Sequence, residues 1–135
     1  MYPLTFIRLA STTAVFAMLA VCGGCQKKPA PVAVPDVAAA QLEAQREVAK
    51  AKLEAKNGVK SAVKIMGADS KDVARAKITG AFDIAMTRAD GNHKVANEKC
   101  MTLEQSAQQA CKDKADADYQ TAVSQAKAVR DSQLR

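Results

Sequence analysis

The sequence predicts an all-α protein built of long, alanine-rich helices. Alanine, lysine, glutamate and glutamine dominate the chain after its first 25 residues, and these residues lose little entropy on entering a helix. Aromatic residues make up only 4% of the sequence, so few large side chains are present to fill a compact core. Apolar and small residues instead recur at spacings of three and four. We therefore expect helices that pack through small side chains.

The first element is a short apolar segment at the N-terminus. One basic residue, Arg8, precedes an uncharged run over residues 9–21. A helix of this length spans about 20 Å, whereas the hydrocarbon core of a membrane is roughly 30 Å thick. The run is therefore interpreted as the apolar part of an export signal over residues 1–24, and it is left out of the fold.

The end of the apolar run, LAVCGGCQ, resembles the lipobox of bacterial lipoproteins, in which a cysteine after small residues is acylated and becomes the first mature residue. Cys25 follows two glycines, which supply the small residue before the cleavage site, although Cys22 stands where leucine is usual. Cys22 is the alternative acylation site, but it follows Val21, which is larger than the residue expected there. The resemblance therefore implies acylation at Cys25. An ordinary cleaved signal without lipid is the remaining interpretation.

The resemblance also implies a location in the cell envelope. Bacterial lipoproteins carry several acyl chains, and this makes the anchor permanent, because a single chain binds a membrane only marginally. In enterobacterial lipoproteins, aspartate directly after the acylated cysteine retains the protein in the inner membrane, and here that residue is Gln26, or Gly23 for the alternative site. The expected location is the outer membrane, facing the periplasm. Residues 25–36 are expected to form an anchor and extended tether, since three prolines in this segment fix φ and remove backbone donors.

A basic helix is predicted over residues 37–66. Its sequence VAAAQLEAQRE is followed by VAKAKLEAKNG, and the two segments match at six of eleven positions. An eleven-residue period corresponds to about 3.67 residues per turn. This period is expected to place five apolar residues near one stripe of the helix: Val37, Leu42, Val48, Leu53 and Val59. The strongest helical signal ends near Lys56, because Asn57 and Gly58 weaken it.

A helical hairpin is predicted over residues 69–135. The segment GADSKD indicates a break, and either Asp69 or Ser70 can cap the helix that follows it. Small and apolar residues then recur at spacings of three and four in two successive runs. The Asp-Gly-Asn segment at 90–92 is expected to kink or end the first helix of the hairpin.

Cys100 and Cys111 are expected to form a disulfide. Pairing is the default for two cysteines in the body of an exported protein. On one continuous helix their Cα atoms would lie about 16 Å apart, whereas a disulfide needs Cα atoms within about 7 Å. The bond therefore requires a chain reversal, near residues 102–106, between two antiparallel helices. In antiparallel helices, the residue numbers of each facing pair have the same sum. For Cys100 and Cys111 this sum is 211, so other facing pairs should also sum to about 211. This register pairs Ala96 with Ala115, His93 with Tyr119, Ala85 with Ala126, and Phe82 with Val129.

The region 81–119 resembles a set of uncharacterised proteobacterial exported proteins. Their shared element is a charged, alanine-rich helix that ends in Glu-(Lys/Arg)-Cys, about ten further residues, and a second cysteine followed by a helix rich in lysine, aspartate and alanine. In this chain the element is Glu98-Lys99-Cys100 and Cys111-Lys112-Asp113. The loop departs from the usual form, because it carries residues 104–108 where the others carry Gly and Asn. The resemblance brings no established activity.

The sequence contains no recognised catalytic, cofactor-binding or metal-binding motif. His93 is the only histidine, and a metal site needs several ligands, so we expect a partly buried ring beside Tyr119. No CxxC segment includes Cys100 or Cys111, and no GxGxxG, GxxxxGK[ST], HExxH or GxSxG segment occurs. Asp116 and Asp118 are expected on the solvated surface. The sequence therefore predicts a protein that is not an enzyme and holds neither cofactor nor metal.

The net charge of +6 suggests an anionic partner. Export argues against nucleic acid, so the expected partners are anionic lipid, peptidoglycan or another envelope component, although the lysines also keep the chain soluble. The first hypothesis is a structural or interaction lipoprotein that engages an envelope protein or the cell wall. The second is a membrane-surface module whose basic helix 41–64 binds anionic lipid. Homo-oligomerisation through the eleven-residue repeat fits both hypotheses.

Overall fold

The computed structural model describes residues 36–135, which form three α-helices. In chain order the helices are α1 (Val37–Met66), α2 (Lys71–Met101) and α3 (Gln105–Leu134). This part of the chain contains no strand, and the predicted all-α class is confirmed. The predicted export signal at 1–24, and the predicted tether up to residue 35, lie outside the described residues.

Polar caps and one glycine set the helix boundaries. Asp36 accepts a hydrogen bond of 2.8 Å from a backbone N–H in the first turn of α1. Ser70 accepts a comparable bond of 3.2 Å at the start of α2, so Ser70 rather than Asp69 is the cap. Gly67 has a φ of 84°, a left-handed conformation that favours glycine, and it ends α1. The break predicted from GADSKD is confirmed.

Both glycine-containing segments that were expected to weaken a helix are helical. α1 continues from Lys56 through Gly58 to its end at Met66. α2 passes through residues 90–92 without interruption, so the expected kink or helix end at Asp-Gly-Asn is wrong. The physical reason is that Gly91 lies against α1, where the missing side chain is needed for packing.

α1 and α2 pack antiparallel through glycine–alanine contacts that repeat every eleven residues. Gly91 lies against Ala44, and Gly80 lies against Ala55. A Cβ atom added at either glycine would lie 2.7 Å from the alanine Cβ and 3.3 Å from its Cα. The bare glycines therefore let the two helix axes approach more closely than larger residues would allow. The eleven-residue repeat of the sequence is the period of this interface.

Valine and alanine, not leucine, form the side of α1 that meets α2. Val37, Val48 and Val59 are half-buried, and alanines occupy the positions between them. Leu42 and Leu53 are 49% and 59% exposed, so their expected place on the same stripe is wrong. A step of five residues turns a helix by about 140°, and this step carries each leucine from the valine side to the outer edge.

α1 and α3 lie on opposite sides of α2 and make no contact with each other within residues 36–135. Gly91 faces α1, whereas Cys100 is bonded to Cys111 of α3. Gly91 and Cys100 are nine residues apart, which is about two and a half helical turns, so they point in opposite directions. The three helices therefore form a single layer, with one broad face on each side of α2.

The glycine contacts predict opposite effects for two chemically identical substitutions. Gly58→Ala is expected to stabilise the protein by about 1 kcal/mol, because Gly58 lies in a helix with open space around it. Gly91→Ala is expected to destabilise it by about 1 kcal/mol, because overpacking against Ala44 outweighs the gain in helix propensity. Urea unfolding followed by circular dichroism measures both changes.

A double-mutant cycle separates the contact from other effects of alanine at position 91. Once Ala44→Gly has removed the opposing Cβ, Gly91→Ala is expected to stabilise the protein instead of destabilising it. If Gly91→Ala were destabilising by the same amount in both backgrounds, the Ala44 contact would not be its cause.

Candidate functional site

A disulfide between Cys100 and Cys111 closes the turn between α2 and α3. The two Cα atoms are 5.5 Å apart, and Cys100 is only 1% exposed. The chain reverses between Met101 and Gln105, within the range that the sequence predicts. The predicted antiparallel, disulfide-closed hairpin is confirmed. The bond fixes which residues of α2 and α3 face each other.

A polar cluster joins α2 to α3 beyond the disulfide. The rings of His93 and Tyr119 stack with their centroids 4.9 Å apart, which confirms the predicted pair. His93 Nε2 lies 2.6 Å from an oxygen of Asp116 and 3.1 Å from the amide nitrogen of Asn97. The Tyr119 hydroxyl donates a 2.8 Å hydrogen bond to Asp90. Asp116 is at the surface as expected, with 62% of its side chain exposed, but it also holds the histidine.

Phe82 and Arg130 extend the α2–α3 contact towards the other end of the hairpin. The guanidinium carbon of Arg130 lies 4.5 Å from the centre of the Phe82 ring, a cation–π contact. Phe82 and Ala85 of α2 line an open groove together with Ala126 and Val129 of α3. The register predicted from the cysteine spacing therefore extends along the hairpin.

One broad face of the layer carries only cations in its grooves. The α1–α2 groove and the α2–α3 groove on this face share Arg88 and Asn92 in their walls. The other ionisable residues that line these two grooves are Lys52, Lys99 and Arg130. No carboxylate lines either groove. This surface is termed the basic face.

The opposite face is rich in carboxylates. Asp83 is nine residues before Asn92, about two and a half turns, and therefore lies on the other side of α2. The grooves on that side are lined by two cations, Arg75 and Lys112, and by five acidic residues: Glu54, Asp72, Asp83, Glu98 and Asp116. This surface is termed the acidic face. The layer is thus polarised in charge across its thickness.

A row of three exposed cations follows α2 along the basic face. Lys77, Arg88 and Lys99 are spaced eleven residues apart, and none of them makes an ion pair within residues 36–135. Eleven residues are close to three helical turns and advance about 16 Å, so the three side chains share one side of α2. The sequence reasoning overlooked this row, although the equal spacing of the three cations was a signal for it.

The lysines of α1 are divided between two surfaces. Lys52 lines a groove of the basic face. Lys56 is four residues after Lys52 and lies on the same side of the helix. Arg46 is four residues after the exposed Leu42, and Lys60 and Lys64 are seven and eleven residues after the exposed Leu53, so these three cations follow the outer edge of α1. The helix 41–64 therefore does not present one continuous basic side.

The predicted acylation sites lie outside the described residues. Cys25 and its alternative Cys22 both belong to the segment before residue 36, and acylation stays a prediction. Among the three described helices, none has a stretch long and apolar enough to cross a membrane. Within the same part of the chain, no three His, Cys, Asp or Glu residues lie together in a group that could hold a metal ion.

No protein-family model, curated protein or solved structure matches this chain significantly.

Removal of the disulfide is expected to lower the free energy of unfolding by about 3 kcal/mol, because the bond restricts the unfolded chain. The test compares the wild type with the Cys100→Ala and Cys111→Ala double variant in thermal and urea unfolding. Reductant should lower the stability of the wild type to a similar extent and leave the variant unchanged. Equal stability of the two proteins without reductant would contradict a structural role for the bond.

The Tyr119–Asp90 hydrogen bond predicts an upward shift in the titration of the phenol. The bond to Asp90, and then the negative charge of Asp90, raise the pKa of Tyr119 above the ordinary value of 10.0. A chain without residues 1–24 has Tyr119 as its only tyrosine, so phenolate absorbance reports this group alone. Asp90→Asn should lower the pKa of Tyr119, whereas Asp83→Asn should change it little.

The raised pKa of Tyr119 also determines how the stability of the protein depends on pH. A group whose pKa is raised on folding contributes its stability below the pKa of the unfolded chain and loses it as the pH rises through the folded pKa. The contribution of Tyr119 to the stability should therefore be fully present below about pH 10 and decrease as the pH rises above this value. A wild-type protein whose phenol titrates no higher than that of the Asp90→Asn variant would show that the hydrogen bond does not form in solution.

Proposed function

We propose that this protein is a non-enzymatic lipoprotein of the bacterial cell envelope, whose helical layer serves as a surface for interaction with another envelope component. Its expected place is the periplasmic side of the outer membrane, where acylated Cys25 anchors it and residues 26–35 connect the anchor to the layer. The interaction partner in this proposal is an envelope protein, the cell wall or a lipid surface.

The open layer is the observation that carries the proposal of an interaction surface. Residues 36–135 place most of their polar side chains on two broad faces, and α1 does not close over α3. The five buried apolar residues of this part of the chain are Ala40, Val73, Ala89, Cys100 and Ala115. A protein that exposes two wide faces and buries so little is suited to binding an extended partner.

The N-terminal sequence supports the lipid anchor. The uncharged run at 9–21 is too short to span a bilayer, and it ends in small residues followed by Cys25. A proline-bearing segment then separates this cysteine from Asp36, where the first described helix is capped. These features agree with a body held near the membrane by a short extended spacer.

A second candidate function is binding of anionic lipid by α1. The exposed Leu42 and Leu53 on the outer edge, with lysines near them, support this alternative. Binding to anionic vesicles that falls steeply with salt would favour it. Salt-insensitive co-purification of one envelope protein would favour the first candidate.

Acylation at Cys25 is tested by intact mass spectrometry of the protein purified from bacterial membranes. The expected species begins at Cys25, carries several acyl chains and gains the mass of two hydrogens on reduction. Cys25→Ala should abolish acylation and release the protein from the membrane. Cys22→Ala is the matched control and should leave both unchanged. Acylation that persists in Cys25→Ala and disappears in Cys22→Ala would move the anchor to the alternative position.

A further inference from the structure

We propose that the basic face lies flat on an anionic lipid bilayer, with Lys52, Lys77, Arg88 and Lys99 contacting lipid phosphates. This proposal rests on the proposed envelope function, since it names the partner of the anchored layer. It differs from the second candidate function, because the contact is made mainly by α2 and not by the outer edge of α1.

The distribution of charge is the first argument. The groove walls of the basic face contain cations and no carboxylate, whereas those of the acidic face contain five carboxylates and two cations. Lys77, Arg88 and Lys99 make no ion pair within residues 36–135, so their charges are free to attract an external anion. Arg130, by contrast, is held by Phe82 and Asp131. The free cations on this face therefore select an anionic partner.

The spatial arrangement of the cations favours a planar partner. The row on α2 is about 33 Å long, because its members are eleven residues apart and each residue advances about 1.5 Å. Lys52 lies across the α1–α2 groove from this row, so the charges extend over two helices. The residues between them include Ala81, Asn92 and Val95, which are small or neutral. Asp118 of α3 is seven residues before Gln125 and lies on this face, but its carboxylate is paired with Lys114 and adds no net charge. The unpaired cations can therefore approach the lipid phosphates.

A bilayer explains the arrangement better than a second copy of the chain. A second copy could offer its acidic face to the basic face of the first. Such stacking is head-to-tail, so one basic face and one acidic face stay unpaired at the two ends of the stack. A lipid surface satisfies all four cations of one molecule at once. The proposed anchor would also hold the layer within reach of that surface.

The test uses a chain that begins at Gln26 and therefore cannot be acylated. This chain retains the three helices, the α1–α2 and α2–α3 contacts and the disulfide. Its sedimentation with vesicles of phosphatidylglycerol and phosphatidylcholine is compared with its sedimentation with phosphatidylcholine alone. Circular dichroism confirms that each variant has the helical content of the wild type.

Two matched variants separate the basic face from the edge of α1. The face variant carries Lys77→Gln, Arg88→Gln and Lys99→Gln, and the edge variant carries Arg46→Gln, Lys60→Gln and Lys64→Gln. Both lose three exposed charges, including one in the last turn of a helix. Each cation near an anionic bilayer strengthens binding by about fivefold, so the face variant should bind about 100-fold more weakly than the wild type. The edge variant should bind within a fewfold of the wild type.

A third variant tests whether charge alone carries the binding. Lys77→Arg, Arg88→Lys and Lys99→Arg keep each charge, and the binding of this variant should match that of the wild type. The proposal is overturned if the wild type does not bind anionic vesicles, if the face and edge variants lose affinity equally, or if only the edge variant loses it. It is also overturned if the chain binds a soluble anionic polysaccharide and not the vesicles.

Discussion

The close contact of two glycines in α2 with two alanines in α1 determines the arrangement of the whole layer. Gly80 and Gly91 place α1 along one side of α2, at a separation that a single added methyl group would disturb. The disulfide at Cys100 places α3 along the opposite side. Because α2 is contacted on both sides, α1 and α3 stay apart, and both broad faces remain open.

This arrangement explains how so few large apolar residues can hold three helices of 30 or 31 residues. Alanine and glycine remove little area from water, so each pair of helices gains mainly from close contact along its length. The α1–α2 pair achieves that contact with an eleven-residue repeat. The α2–α3 pair adds a covalent bond, the stacking of His93 on Tyr119 and the Phe82–Arg130 contact.

The sequence was sufficient for the hairpin because its constraints are local or covalent. Spacings of three and four identify the helices, and the separation of the two cysteines requires a reversal whose register pairs His93 with Tyr119. The role of Gly91 could not be derived in this way. A glycine in a helical pattern is read as a break unless the opposing residue is known, and here that residue, Ala44, is 47 positions away.

The separation of charge between the two faces of the layer could not be derived from the sequence for a related reason. The sequence shows lysines in α1 and a spaced row of cations in α2, but their common face exists only once α1 and α3 occupy opposite sides of α2. The same geometry leaves Leu42 and Leu53 exposed, because the packed side of α1 is determined by the glycines of α2. The functional proposals therefore depend on the open layer.

The most direct test of that layer is a distance between α1 and α3 in solution. Ala49 and Gln125 are both exposed, both line grooves of the basic face, and both lie at the level of Met86 in the two helix registers. A non-natural amino acid with a ketone side chain is introduced at both positions, and the spin labels are attached to the ketones. The native cysteines are therefore not labelled. The layer predicts a backbone separation of about 16–20 Å, which is two interhelical distances. A separation of about 8–10 Å would show that α1 and α3 close over Arg88, and it would contradict the layer.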